Sequence, residues 1–178
     1  MRTAIVPEIY VGLGSNIEPL IHLGEALGGM QGAFGPLSMS SVYQNKPVGF
    51  SGADFLNLVV GFKSQLPPPE IVAVLSALEE SSGRVRVGPT LGSRELDLDL
   101  LLYGSMVDPD RKLPRPDILR YAFVLGPLAE LAPALVHPVT GQVFDGVWQE
   151  MSLREQPLKR LSGDSSRIRP LLEFSLKK

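Results

Sequence analysis

Hydrophobic and polar positions change period several times along the chain, and each change predicts an element. Ile9-Tyr10-Val11-Gly12-Leu13 is an extended apolar run closed by Gly14-Ser15-Asn16, which predicts a first strand. Leu20, Leu23, Ala26 and Leu27 then recur at helical spacing, predicting a helix over about 19–30. A strand is expected at 38–44, followed by a Pro/Gly-punctuated loop over 45–52. Residues 55–62 alternate cleanly: Leu56, Leu58, Val60 and Phe62 share one face, while Phe55, Asn57, Val59 and Gly61 share the other. Pro67-Pro68-Pro69-Glu70 opens a second helix, because proline's missing N–H is not needed in a first turn. Ile71, Val74, Leu75 and Leu78 form its apolar stripe, and it ends near Gly83.

The most strongly patterned strand follows a Gly/Pro-punctuated loop and covers 95–103. Two short extended pieces are expected around Asp108-Pro109-Asp110, a helix over 121–131, and a late helix packed by Trp148. The order β-α-β-β-α-β is the split β-α-β, or ferredoxin-like, pattern. It predicts an α+β domain with an antiparallel sheet, helices on one face, and the other face open to a ligand.

Composition narrows the chemistry. The 178 residues, 44% of them apolar, suffice for one domain with a sizeable core. There is no cysteine, which excludes disulfides, thiolate zinc sites and a cysteine nucleophile. The two histidines, His22 and His137, exclude a His-rich metal site, so oxygen ligands are the expected metal chemistry. The net charge of −2 argues against a nucleic-acid binder. That total hides an asymmetry. Residues 1–152 hold ten basic and sixteen acidic residues, whereas 153–178 hold seven and three. We therefore expect one domain over 1–152 and a basic C-terminal extension over 153–178. No targeting or membrane-spanning stretch is evident, so the expectation is a cytoplasmic protein, a monomer without a membrane partner.

Three sets of residues could carry chemistry. Alternation puts Leu96, Leu98, Leu100 and Leu102 on the core face of their strand and Asp97 and Asp99 together on the other. A strand spacing of about 6.5–7 Å lets two such carboxylates hold hard cations. A solvated outer face would show the same alternation, but Asp is disfavoured in strands. Secondly, Arg84, Arg86, Arg94, Arg111, Arg115 and Arg120 are six of eleven arginines and fall within 37 residues around that pair. Arginine's planar fork suits phosphate oxygens. Carboxylates for metal beside arginines for phosphate is the arrangement phosphoryl transfer needs. Thirdly, Phe55 and Asn57 could hold a flat heterocycle by stacking and edge hydrogen bonds, and Phe123 is either a second stacking surface or core. No P-loop or dinucleotide fingerprint occurs.

These segments resemble a known family. Tyr10-Val11-Gly12-Leu13-Gly14-Ser15-Asn16, Phe55-Leu56-Asn57, Arg94-Glu95-Leu96-Asp97-Leu98-Asp99-Leu100-Leu101 and the run from Ala122 to Pro133 look, in order, like the motifs of 6-hydroxymethyl-7,8-dihydropterin pyrophosphokinase. The resemblance extends over about 10–151. It implies pyrophosphoryl transfer from ATP to the pterin hydroxymethyl group, releasing AMP, in folate biosynthesis. By position, Asp97 and Asp99 would hold two Mg²⁺ ions. Arg84 and Arg94 would act on the phosphates as catalytic residues, with Arg86, Leu100, Lys112, Arg115 and Arg120 completing the ATP side. Val48, Phe55, Asn57, Asp97 and Phe123 would contact the pterin. Glu79 falls where the family has an acidic residue before a mobile loop, here 84–93. Three positions depart from the family pattern. Leu91 stands for a common Trp, Arg115 for a His after Pro, and Tyr121 for an Arg. A non-catalytic or altered-specificity pterin- or nucleotide-binding paralogue is therefore the alternative. An RNA-binding ferredoxin-like module ranks last, because Asp97 and Asp99 would repel phosphate on the sheet face.

Overall fold

Three long strands lie side by side: β1 (Glu8–Ser15) in the centre, β4 (Phe55–Lys63) on one side and β5 (Asp97–Tyr103) on the other, all antiparallel. The computed structural model describes residues 6–83, 95–155 and 158–161. Short strands β2 (Ser38–Met39) and β3 (Tyr43–Asn45) pair with β4, and β6 (Lys159–Arg160) pairs with β3. Helices α1 (Pro19–Phe34) and α2 (Pro68–Ser81) are the two crossovers; α3 (Ala122–Leu131) and α4 (Phe144–Ser152) follow β5. In the order β5-β1-β4-β3-β6, the first four strands stand as two interleaved split β-α-β units place them, since each crossover skips one strand, and β6 is added at the edge. The expected antiparallel α+β architecture is borne out.

Helices cover both faces of the sheet, not one. Ile9, Val11 and Leu13, Leu58, Val60 and Phe62, and Leu96, Leu98 and Leu100 bury against Leu23, Leu27 and Met30 of α1 and Ile71 and Leu75 of α2. On the opposite face Tyr10, Val59, Leu101 and Leu102 bury against Leu125, Leu128 and Ala129 of α3 and Phe144 of α4, with Trp148 packed beside them. The reason is compositional. Leu58-Val59-Val60 has no polar member, so an uncovered second face would leave apolar surface in water at about 25 cal/mol per Å². Gly61 leaves room on that face for the Tyr10 ring; a Cβ there would lie 3.1 Å from Tyr10 Cε1.

Leu102 also departs from its expected face. Tyr10 pairs with Leu102 but Val11 pairs with Leu100, so Leu101 is an extra residue in β5. This bulge reverses the alternation and sends Leu102 to the α3/α4 side. The single strand expected at 38–44 is likewise two, because Ser40 interrupts it. Its hydroxyl accepts from Val59 N at 3.0 Å, while its own N–H donates to Val59 O at 2.9 Å. The first helix runs a turn past Met30 and ends at Gly35, whose φ of 84° favours glycine. Around Asp108-Pro109-Asp110 only one bridge forms, Asp108 to Leu113, closing a 3-10 turn at Pro109–Arg111. A second 3-10 turn, Pro116–Leu119, leads into α3.

Part of the expected C-terminal extension joins this body. β6 adds to the sheet edge, and Arg160 pairs with Glu130 of α3 at 3.0 Å. Glu130 also accepts from Ser41 Oγ at 2.7 Å and Tyr43 Oη at 3.0 Å. Among the described residues no helix is long and apolar enough to cross a membrane.

Candidate active site

Strand register builds the site. Gly14 of β1 pairs with Asn57 of β4 on one side and Asp97 of β5 on the other, and Gly12 pairs with Asp99. Directly paired residues share a face, so Asn57, Gly14 and Asp97 form one transverse row on the side of the sheet that α3 and α4 leave partly open. Gly14 has no side chain to fill the middle of that row. A Cβ there would sit 2.8 Å from Asn57 Oδ1. Over this row lies a cavity of about 330 Å³, walled by Phe50, Phe55, Tyr121, Phe123 and Val48, with Asn45 and Asn57 among its polar lining. Phe50 meets Phe55 edge-on at 6.2 Å, and Tyr121 stacks on Phe123 at 5.1 Å and 17°. Asn57 is buried and donates through Nδ2 to Asn45 Oδ1; Asn45 in turn donates to Lys46 O at 2.9 Å.

A second cavity, about 570 Å³, lies against α2 and is lined by Pro69, Val72, Ser76, Glu79, Leu100 and Arg111 among others. Asp97, Asp99 and Arg115 line both cavities. The carboxylate pair therefore stands at the junction of an aromatic-and-amide pocket and a more polar one.

The junction is electrostatically crowded. Burial and the neighbouring Asp97 push the Asp99 carboxyl up to about 7, with Asp117 and Glu79 adding to the rise and Arg115 opposing it. The Arg115 Nη2 lies 2.8 Å from Asp99 Oδ1, and its Nε donates to Asp117 Oδ2 at 2.9 Å. Glu79 is 5% exposed, and its Oε1 accepts from Leu98 N at 2.9 Å. Two carboxylates on one strand face, one of them pushed toward neutrality by burial and then by the other's charge, are a donor set that a hard divalent cation would relieve. Among the described residues no three His, Cys, Asp or Glu side chains gather around one ion position. Further ligands would therefore be substrate oxygens and water, which is Mg²⁺'s usual habit.

A family model described as 7,8-dihydro-6-hydroxymethylpterin-pyrophosphokinase (HPPK) matches residues 10–133, more than half of the chain. The chain belongs to the HPPK family. It is thus an ATP-dependent pyrophosphokinase of folate biosynthesis, and the non-catalytic alternative is not favoured. Curated relatives agree. The 2-amino-4-hydroxy-6-hydroxymethyldihydropteridine pyrophosphokinase of Synechocystis sp. is 37% identical over 145 residues, 75% of this chain and 71% of that protein. The protein of the same name from Porphyromonas gingivalis is 36% identical over 138 residues, 73% of this chain and 93% of its own. Among solved structures, Plasmodium falciparum HPPK-DHPS with pteroate superposes with a TM-score of 0.68 at 11% identity, over 87% of this chain. That likeness bears on the fold alone, and this chain spans about half of that longer one, 48%.

Against the HPPK pattern, the structure brings together Val48, Phe55, Asn57, Asp97 and Phe123 around the first cavity. It places Leu100 and Arg115 at the second. Lys112 and Arg120 line neither cavity. Both are exposed, and Arg120 stacks its guanidinium over the Tyr121 ring at 5.7 Å. Arg84, Arg86, Arg94 and Leu91, with the loop they belong to, lie outside the described residues. Neither histidine lines either cavity. His22 lies in α1, and His137 Nδ1 accepts from Val139 N and Thr140 N in a turn, at 3.3 and 3.2 Å. Sequence reasoning missed Asn45, Asp117 and the space left by Gly14, and Arg111, which it named only within the arginine cluster, lines the second cavity. The one available signal was the spacing of Gly12 and Gly14 opposite Asp99 and Asp97, which only the pairing register makes visible.

Proposed function

We propose that the aromatic cavity takes 6-hydroxymethyl-7,8-dihydropterin and the α2-side cavity takes ATP, with the pterin hydroxyl and the ATP phosphates meeting at Asp97 and Asp99. The observation that carries this reading is the sharing of that pair, and of Arg115, by both cavities. Phe55 and Phe123 lie against the pterin ring, Asn57 bonds its edge, and Val48 closes the pocket mouth. Asp97 and Asp99 would hold two Mg²⁺ ions. When bound, these supply charge neutralisation for the phosphates and activation of the attacking hydroxyl.

The hydroxymethyl oxygen attacks the β-phosphorus, the bond from that phosphorus to the α,β-bridging oxygen breaks, and AMP departs. Asp97 and Asp99 fix where the reacting oxygens converge, so proximity and preorganised charge provide the rate. Glu79 keeps the backbone between them in place. Arg111 and Arg115 face the phosphates from the described part of the structure. Arg84, Arg86 and Arg94 join them on the strength of the family resemblance. We extend the reading to a cytoplasmic monomer without nucleic-acid or membrane partners, in keeping with the near-neutral charge and the lack of a long apolar helix among the described residues.

The test is product analysis. With ATP, Mg²⁺ and hydroxymethyldihydropterin, the expected nucleotide product is AMP; ADP, or no turnover at saturating substrates, would overturn the reading. Asp97→Ala is expected to lower kcat by at least about a hundredfold, because the interaction it removes acts mainly in the transition state. A wild-type rate would sink the metal assignment.

A further inference from the structure

Arg115 is held between two carboxylates by two different nitrogens. Nη2 lies 2.8 Å from Asp99 and Nε 2.9 Å from Asp117, while its backbone N–H donates to Leu101 O at 2.9 Å. The root of the side chain is therefore fixed to β5. Its fork can release one carboxylate without releasing the other. All three side chains are only partly exposed, at 28% for Arg115, 33% for Asp99 and 29% for Asp117.

The pair sits at the place where an ion is expected. Asp97 and Glu79 also act on Asp99, so removing the guanidinium would leave its carboxylate among like charges with weaker compensation. A divalent cation at Asp99 would meet a positive charge already there. A nucleotide in the second cavity would offer Arg115 phosphate oxygens, for which its planar fork is suited.

We propose that Arg115 occupies Asp99 as a resident counter-cation in the nucleotide-free enzyme, then exchanges Asp99 for phosphate oxygens while Asp117 keeps hold of its Nε. This rests on the reading that Asp97 and Asp99 hold the ions. Its consequence is an order of events. Metal alone binds weakly because it competes with Arg115, and metal arriving with nucleotide binds well because the phosphates draw Arg115 away. The guanidinium thus couples the metal position to the nucleotide pocket.

The experiment is a titration of the full chain with Mn²⁺, followed by electron paramagnetic resonance. It is performed without nucleotide and then with a non-hydrolysable ATP analogue. For Arg115→Gln, binding of Mn²⁺ alone is expected to tighten by roughly three- to tenfold, the scale of losing one partly exposed opposing charge. Binding of the Mn²⁺–analogue complex is expected to weaken. Opposite signs are the signature of exchange. Unchanged or weaker binding of Mn²⁺ alone, or a shift of both in one direction, would overturn the proposal. Arg115→Met is read the same way should the glutamine variant not fold. Asp99→Asn separates the two levels of the argument. If it leaves Mn²⁺ binding intact, the ion lies elsewhere and the underlying reading fails. If it abolishes binding while Arg115→Gln does not tighten it, only the role of Arg115 fails.

Discussion

The backbone N–H of Leu98 donates to Glu79 Oε1 at 2.9 Å, so a buried carboxylate at the end of α2 holds the peptide between Asp97 and Asp99. An acid buried to 5% exposure would be costly without such partners. Its position makes it a brace for the carboxylate pair. Glu79→Ala leaves the Leu98 N–H without this acceptor and should destabilise the protein by about 1–3 kcal/mol in urea unfolding. Glu79→Gln retains a carbonyl at the same reach and should lose distinctly less. Equal losses in both variants would mean that the Leu98 bond is not what Glu79 contributes.

Asp99 makes the metal-free protein's stability depend on pH. Its carboxyl is raised from 3.8 to about 7, first by burial and then by Asp97. A raised folded-state value means that the native state binds the proton more tightly than the unfolded chain does. The stabilisation is therefore fully present below 3.8 and is lost as pH rises through about 7. In a chelating buffer, the melting temperature of wild type relative to Asp99→Asn should fall as pH rises from 3.8 to about 7 and level off above that, since the amide does not titrate. A constant difference across that window would show that Asp99 is not held in this environment.

The fold was legible wherever one rule governed a whole element. The face assignment of 55–62 holds because a large apolar residue stands at every second position from Leu56 to Phe62 with no bulge between them. β5 was legible only as far as Leu100. Leu100, Leu101 and Leu102 are identical, so nothing in the residue pattern marks which of them is the bulge. The second helical layer did leave a trace, in consecutive apolar residues on β4 where a solvated face would alternate, and in the all-round apolar character of α3. At the site, Asp97 and Asp99 announced themselves by standing in a leucine strand. Asn45 did not, because it matters through Asn57 on the neighbouring strand, and Asp117 did not, because its bond to Arg115 two residues away reads as a local pair until the fold brings Arg115 to Asp99.

Gly12 and Gly14 lie on the same face of β1, yet alanine should be tolerated very differently at the two. At Gly12 a new Cβ would meet Leu101 at 3.5 Å, an ordinary contact; at Gly14 it would lie 2.8 Å from Asn57 Oδ1. Gly14→Ala is expected to displace the Asn57 amide and raise the pterin KM by about tenfold, with kcat less affected, as for lost binding common to ground and transition states. Gly12→Ala should keep the pterin KM within about twofold. Steady-state kinetics on the two variants would check this, and a larger KM change in Gly12→Ala would contradict the assigned register.

Phe123 and Tyr121 stack at 5.1 Å and 17°, and both line the aromatic cavity but not the α2-side one. Removing the Phe123 ring takes away a stacking surface for a flat ligand and the ring that stacks on Tyr121. Aromatic contacts of this kind contribute about 0.5–1.5 kcal/mol beyond area burial, and the lost burial adds to that. Phe123→Ala should therefore weaken pterin binding by about ten- to a hundredfold in a ligand-fluorescence titration. Because the ring does not border the second cavity, the affinity for a non-hydrolysable ATP analogue with Mg²⁺ should change by less than about threefold. The ratio of the two effects is the discriminating quantity. Equal losses for pterin and nucleotide would mean that Phe123 acts by holding α3 in place, and the division of the site into a pterin half and a nucleotide half would have to be redrawn.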